Sequence, residues 1–448
     1  MNRILSSIFP SLSRPGRETQ NSKKLLNSLL LHFRPRAVDD RTLRFTLTWG
    51  LGGMAAVLIF LLFCTGILLK FVYEPSPARA YESIIYLQNN ILFGQLIRNI
   101  HHWSGNILLL AVFLHFLRVF FTGAFTAPRQ FNWIIGLALL GSVLLSAFTG
   151  YLLPWDQLGF WAVTICTTML EYVPIIGKWL QESIQGGPEM GPAILTNFYA
   201  IHTAVMPVVL VFLLGFHFWR VRKAKGLVIL RSPDEAPDTR GETVSSIPNL
   251  LVREIAVGLA LLAFMLIFAM LFNAPLADKA NPGLSPNPTK APWYFLGVQE
   301  LLMHFHPLFS LVIIPALVVF FMFVLPYLDY RENTSGIWFC STNGRKTALT
   351  AALVSALITT VFIFANEFLI DFGTLLPGLP DAVSNGLIPF VLCLLVLAGF
   401  YSFINKKYSA SKHEVVQAVF VFLLTAFVVF TITGILFRGP GMKLTLPW

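Results

Sequence analysis

Charge is what this 448-residue sequence has least of: only 12% of its residues are Asp, Glu, Lys or Arg, against about 25% in soluble domains. A chain that is 56% hydrophobic, with a mean hydropathy of +0.70, carries more apolar surface than water-soluble cores can hide. This composition excludes a soluble enzyme and is that of a membrane protein. Cysteine is scarce too. Cys64, Cys166, Cys340 and Cys393 lie far apart and form no C-x-x-C or C-x-x-C-H pattern, which excludes a disulfide scaffold, a cysteine zinc site and a thioether-linked haem. Any metal must therefore be held by other residues. The first forty-odd residues also lack the early apolar core of a signal peptide. They carry Arg3, Arg14, Arg17, Lys23, Lys24, Arg34, Arg36, Arg41 and Arg44, and are expected to stay in the cytoplasm.

What is present is a series of long apolar runs. Crossing about 30 Å of hydrocarbon takes roughly 20 helical residues, and nine runs meet that length. Spans A to I are placed near Trp49–Leu69, Ile100–Phe121, Trp133–Leu153, Phe198–Trp219, Ile255–Phe272, Leu308–Leu328, Ala348–Phe368, Leu387–Ile404 and Val415–Phe437. The expected fold is all-α and polytopic. With the N-terminus inside, 24 of the 32 Lys and Arg fall on the cytoplasmic side, counting Arg118 at the inner end of span B. That bias fixes the expected orientation. The densest connection, D to E, carries Arg220, Arg222, Lys223, Lys225, Arg231, Arg240 and Arg253, whereas C to D holds only Lys178. The net charge of +10 thus reflects topology and contact with anionic lipid rather than a nucleic-acid partner. The expected location is a bacterial cytoplasmic membrane. Two outside loops are long enough to suggest function: C to D, with an amphipathic stretch from Glu171 to Ile184, and E to F, Pro-rich from Pro275 to Pro292.

Ionisable residues inside spans are costly, and histidines recur here at regular intervals. Span B contains His101, the adjacent His102, and His115; span D contains His202 and His217. The intervals of 14 and 15 residues are close to four turns, so each helix presents two imidazoles near one face, about 21 Å apart. If both spans run outside to inside, His101 pairs with His202 and His115 with His217. Glycines recur at the same interval, Gly52 and Gly66 in span A and Gly136 and Gly150 in span C, leaving room between helices. This pattern fits two bis-histidine haems, six-coordinate and suited to electron transfer. The competing readings are a hydrogen-bonded packing role for each histidine, close helix packing for the glycines, and zinc, which seldom takes two ligands alone. His102, beside Trp103, is read as an interface residue. Arg98 and Arg118 each lie one turn from a histidine and are candidate counter-charges for haem propionates, with snorkelling to the interface as the alternative.

The segments RNIHHWSGNILLLAVFLHFLRVFFTG, FTGYLLPWDQLGFWAV, FYAIHTAVMPVVLVFLLGFHFWRVRK and APWYFLG resemble cytochrome b of the quinol:cytochrome c oxidoreductases, over about residues 40 to 330. The 15-residue interval of span D is more similar to the chloroplast and cyanobacterial type, although here the four-helix part and the later helices are fused. The resemblance implies two non-covalent b haems, quinol as substrate, and a Rieske-type iron-sulfur protein and a c-type cytochrome as partners in a dimeric complex. It also implies a division into a basic N-terminal segment 1–44, a di-haem four-helix domain 45–225, a linker 226–250, quinol-site helices 251–330 and additional helices 331–448. Two departures stand out. The plastid-type cysteine that tethers a third haem aligns with Gly50, so no covalent haem is expected. The family's PEWY glutamate aligns with Pro292 in the run Ala291, Pro292, Trp293, Tyr294.

By the family's mechanism, quinol is oxidised outside, and electrons cross through the two haems to reduce quinone near the cytoplasm. The outer slot is expected from Trp155, Asp156, Gln157, Gly159 and Trp161 together with Trp293 and Tyr294, with an ordinary aromatic belt as the alternative. An inner site near His32, Asp39, Arg220 and Arg222 competes with the plain topological role of basic residues. For the missing acid, a helix from Trp293 to Leu302 would put Glu300 on nearly the same face as Trp293, as a carboxylate of raised pKa. Its rivals are His304 and His306, with Glu300 at a solvent-facing helix end. Two other functions stay open: a quinol-oxidising subunit passing electrons linearly to a multihaem cytochrome, and a transporter relaying protons through its histidines.

Overall fold

The computed structural model describes residues 37–44, 50–188, 191–235, 241–246, 248–330 and 332–446. Most of the basic N-terminal segment, His32 and the expected start of span A at Trp49 lie outside them. Among the described residues, nine helices are long and apolar enough to cross a membrane. In chain order the helices are α1 (Leu51–Lys70), α2 (Ala80–Asn90), α3 (Gly94–Phe121), α4 (Gln130–Leu152), α5 (Gln157–Met169), α6 (Gly177–Gln185), α7 (Ala193–Lys223) and α8 (Asn249–Leu271). They continue with α9 (Leu296–His304), α10 (Leu308–Tyr327), α11 (Thr342–Phe368), α12 (Val383–Tyr408) and α13 (Lys412–Leu436). Spans A to D are α1, α3, α4 and α7, and spans E to I are α8 and α10 to α13. Among the described residues one antiparallel strand pair, β1 (Ala37–Asp39) with β2 (Thr243–Ser245), joins two polar segments. There Asp39 accepts from Arg41 and from the Gly241 amide, and the Arg41 hydrogen bonds hold its carboxyl far below the ordinary range, against the opposing effect of burial.

The chain forms two compact units. The first gathers the described residues up to Asp156 with Leu195–Asp278 and Leu325–Ile337; the second gathers Gln157–Ile194, Lys279–Val324 and the chain from Trp338 onward. In the first unit α1 lies along α3, α4 along α7, and α8 against α1 and α3. Helix α3 starts six residues before its apolar run because its polar first turns find partners near the end of α8. The Arg98 guanidinium donates to the carbonyls of Ala274 (2.8 Å) and Pro275 (2.7 Å). Asn99 donates to the Ala269 carbonyl and accepts from the Ala274 amide, and the Trp103 indole donates to the Phe272 carbonyl. Polar side chains are tolerated in such a helix once each is hydrogen-bonded.

In the second unit α13 packs along α11 and α9. Ser341 caps α11 by accepting from the Gly344 amide (2.8 Å), and Ser411 with Glu414 forms a capping box at α13. Glu414 also accepts a hydrogen bond from the Ser341 hydroxyl, so one carboxylate ties together the starts of two spans. Helix α9 is shifted along the chain from the expected Trp293–Leu302 and ends at His304. It begins at Leu296, with Trp293–Phe295 in a preceding turn.

Candidate haem-binding site

In the first unit the four histidines meet in two pairs. The His101 and His202 rings lie 6.3 Å apart between centroids at 74°, and those of His115 and His217 lie 6.5 Å apart at 81°. Two metal–imidazole bonds of about 2 Å each, flanked by half a ring on either side, account for such separations. The unequal intervals are reconciled by the backbone. Ile201–Val205, which contains His202, is a π-helical turn, and a π turn takes up one extra residue. The 15-residue interval of α7 therefore points its two imidazoles as the 14-residue interval of α3 does.

The glycines face the imidazoles themselves, a more specific role than leaving room between helices. A Cβ on Gly150 would stand 2.6 Å from His202 Cε1, and one on Gly66 would stand 3.2 Å from His101 Cε1. The corresponding distances are 3.4 Å for Gly52 to His115 and 3.7 Å for Gly136 to His217. Each glycine thus lets one ring lie against the neighbouring helix.

Two residues missed by the sequence reading set the tautomers of the first pair. Thr65 donates its hydroxyl hydrogen to the Leu61 carbonyl (2.8 Å), so its oxygen faces His101 Nδ1 (2.9 Å) as an acceptor. Thr149 donates likewise to Leu145 (2.9 Å) and faces His202 Nδ1 at 3.1 Å, where the Ser146 carbonyl also accepts at 3.0 Å. With the proton on Nδ1, each Nε2 carries a free lone pair and is ready to bind a metal. The signal was a Thr-Gly doublet repeated at 65–66 and 149–150. Leu51 and Ile135 precede the other two glycines and bring no hydroxyl.

The two arginines differ. Arg98 commits both terminal nitrogens to the Ala274 and Pro275 carbonyls. Arg118 is buried, and its Nε has no acceptor among the described residues; a buried donor in that state fits an anionic group. His102 stands apart from the pairs, edge-on to Trp103 and bonded to Asn106. No group of three or more His, Cys, Asp or Glu suited to a metal occurs among the described residues. The donor set is thus two imidazoles per site with a cleared flank, as a haem iron requires.

Comparison with known proteins decides the family. The model for cytochrome b/b6/petB matches residues 41–225. Cytochrome b6 of Synechococcus sp. (strain CC9605) is 40% identical over 173 residues, 39% of this chain and 79% of that protein. The chain belongs to the cytochrome b family. Cytochrome b6 of Prochlorococcus marinus (strain NATL1A) is similar to the same extent, 40% over 173 residues with the same coverage of each chain. A solved chain of a hyperthermophilic respiratory Complex III shares the fold, with a TM-score of 0.64 at 24% identity, covering 86% of this chain and 98% of that one. As a cytochrome b, the protein is a membrane electron-transfer subunit of a bc-type complex and binds b-type haem. Family membership sets aside the transporter reading.

The expected quinol-site residues are distributed as follows. In the first unit Trp155 and Asp156 are buried, and Asp156 accepts from the Ala277 amide (2.9 Å). In the second unit Gln157 accepts from the Asn281 amide (2.6 Å), Gly159 is buried, and the buried Trp161 indole nitrogen has no acceptor among the described residues. Trp293 is exposed, with the Tyr294 ring edge-on to it at 5.6 Å.

Glu300 corrects the sequence reading on three counts. It does not share an environment with Trp293, because the turn before Leu296 breaks the helical register. It is not a solvent-facing helix end, being 1% exposed. Nor is its pKa raised: burial pushes it up, but hydrogen bonds from His304 and Arg438, with the Arg438 charge, outweigh that and hold it below the ordinary range. Arg438 donates from Nη2 to Glu300 Oε1 at 2.6 Å and from Nη1 to Glu367 Oε2 at 2.8 Å. Arg438 lies beyond the stretch that carries the resemblance and gave no signal in the sequence. At the proposed inner site, Asp39 is engaged by Arg41 as described above, and the Arg220 guanidinium lies 5.3 Å from the Phe131 ring centroid.

Proposed function

We propose that this chain is the quinol-oxidising subunit of its complex and holds two b haems, one between His101 and His202 and the other between His115 and His217. The observation that carries the reading is the pair of facing imidazoles at two levels, each ring seated on its own glycine. Bound there, the haems supply a one-electron path across the bilayer. The chain's own residues fix the ligands: Thr65, Thr149 and the Ser146 carbonyl orient the first pair. Arg118 is the proposed propionate partner.

By the charge bias of the loops, the N-terminus and the His115–His217 level lie on the cytoplasmic side. Quinol is then oxidised on the opposite side, at a slot in the second unit built from Trp161, Trp293 and Tyr294. The unpartnered Trp161 N–H supports this, since a quinone carbonyl would satisfy it. With Pro292 in place of an acid and Glu300 tied to Arg438, direct proton abstraction by Glu300 is replaced by a positioning role. No third, covalent haem is proposed. Glycine forms no thioether, and a side chain at Gly50 would be strained, since its φ is 64° and a Cβ there would stand 3.3 Å from Val257 Cγ1.

A Rieske-type iron-sulfur protein and a c-type cytochrome are the proposed acceptors, in a dimeric complex, with proton release outside coupled to the transfer. Linear delivery to a multihaem cytochrome is the second reading, favoured by the absent acid at position 292. Purification of the complex from its membrane tests both. Quinol should reduce b-type absorbance in the isolated complex, and an iron-sulfur subunit should copurify; a multihaem cytochrome in its place selects the linear route, and absorbance unmoved by quinol refutes quinol oxidation.

A further inference from the structure

The turn that carries Trp293 and Tyr294 is held from two directions, both within the second unit. From its own helix, Gln299 reaches back: its Oε1 accepts from the Ala291 amide (2.8 Å) and its Nε2 donates to the Thr289 carbonyl (2.7 Å). Three further ties come from the end of α13 and the chain after it. Lys290 Nζ donates to the Ile435 carbonyl (2.9 Å), and the Gly441 amide donates to Asn287 Oδ1. The third is Arg438, whose Nε and Nη2 donate to Glu300 on α9 (3.0 and 2.6 Å), while its Nη1 donates to Glu367 and the Met442 carbonyl (2.8 and 2.9 Å). Arg438 and Glu300 are both buried, and each compensates the charge of the other. Glu367 is partly exposed.

Packing explains why α9 needs the last of these ties. A Cβ on Gly297 would stand 2.6 Å from Phe427 Cε2 and 2.7 Å from Thr431 Oγ1, and one on Gly434 would stand 3.3 Å from Leu296 Cβ. Helices α9 and α13 thus approach closely at these glycines, which fixes their separation. Apolar contact is non-directional, however, and sets the rotation of α9 about its own axis only loosely. A guanidinium fork on a carboxylate is directional, and Glu300 lies three residues after Gly297, on nearly the same face. The far side of the fork is anchored as well. Past Arg438 the chain folds back on itself, the Gly439 amide donating to the Lys443 carbonyl (3.0 Å) and the Thr445 amide to the Phe437 carbonyl (2.8 Å), and the Leu444 amide reaches Glu367 (3.3 Å).

We propose that Arg438 is a positioning residue for the quinol slot: through Glu300 it sets the rotation of α9, and with it the placement of Trp293 and Tyr294 on the turn that leads into that helix. The acid of this segment is then an anchor, and α13 with the chain beyond it supplies the grip. The C-terminal spans thereby shape the slot instead of serving only as scaffold. That the placed rings meet quinol rests on the function proposed above; the clamp itself does not.

The test uses the complex purified from its membrane, with two variants. Arg438→Lys keeps the charge that Glu300 requires, but a compact ammonium cannot hold Glu300, Glu367 and the Met442 carbonyl at once. Glu300→Gln combined with Arg438→Gln removes both charges together, so neither is left buried alone. In each, amide hydrogen exchange over residues 287–300 should quicken about tenfold, as loss of one charge-assisted hydrogen bond allows, with exchange over α3 and haem content unchanged. Quinol oxidation is followed as reduction of b-type absorbance by a short-chain naphthoquinol or benzoquinol. Half-saturation should need about tenfold more quinol at an unaltered limiting rate, because displaced slot walls cost binding rather than chemistry. Exchange over 287–300 unchanged in both variants would overturn the clamp. Faster exchange with half-saturation unaltered would overturn its bearing on quinol, whether or not the limiting rate falls, since damage to the fold alone lowers that rate. Absence of quinol oxidation in the unmodified complex would refute the function while leaving the exchange result in force.

Discussion

The two imidazole pairs are built on one plan but held with different firmness. At His101 and His202 a Thr-Gly doublet on each neighbouring helix supplies a hydroxyl oxygen to Nδ1 and a bare Cα beside Cε1. At His115 and His217 the glycines remain, but leucine and isoleucine precede them, and the clearances widen to 3.4 and 3.7 Å. Their arginines differ in the opposite sense, Arg98 being committed to backbone carbonyls while the Arg118 Nε has no acceptor among the described residues. On the proposed function, the difference teaches that ligand geometry is set by protein hydrogen bonds at one level, whereas at the other a charge is kept for the group that would bind there. A site of the first kind is pre-oriented before it is filled, and one of the second kind gains order from its ligand.

The comparison can be broken by substitution. Removing one imidazole should have the largest effect: His202→Ala and His217→Ala should each lose one haem of two and keep the other, because each pair stands alone and the apolar spans still insert. Either variant retaining the full haem-to-protein ratio would refute the pairing. Alanine at the glycines should follow, graded by clearance. Gly150→Ala forces a Cβ to 2.6 Å from the His202 ring and should strongly reduce binding at that site, whereas Gly136→Ala, at 3.7 Å, makes an ordinary contact and should leave haem content near normal. Equal losses in the two variants would remove the argument from clearance. The threonines come next: Thr149→Val keeps the shape and removes the acceptor, and should weaken haem retention about 10- to 100-fold at the His101–His202 site alone, measured by transfer to apomyoglobin. The smallest effect concerns covalent attachment. Acid-acetone should extract all colour from this chain, and a haem-staining band surviving denaturing electrophoresis would contradict the reading of Gly50.

Much of this was legible in the sequence for a physical reason. Hydrocarbon admits only long apolar helices, so the nine spans could be marked from length and charge alone. Isolated histidines in such runs are costly enough that four at matched intervals mark a candidate site. Polar features that the fold satisfies at a distance were not legible. Helix α3 begins at Gly94 because carbonyls about 170 residues away receive Arg98 and Asn99, and no local pattern announces that. Glu300 was misplaced for the same reason: its partner Arg438 lies 138 residues on, and the turn at Trp293–Phe295 alters the helical phase on which the reading relied. The π turn at Ile201–Val205 was hidden as well, although the 15-residue interval was its trace.

Two haems in two separate bis-histidine sites are what the facing imidazole pairs are proposed to hold. Pyridine-haemochrome assay of the purified, unmodified chain against its protein concentration tests that claim most directly. Two b-type haems per chain, both extractable, are expected; a ratio of one, or a colourless protein that gains no b-type spectrum on adding haem, would contradict it.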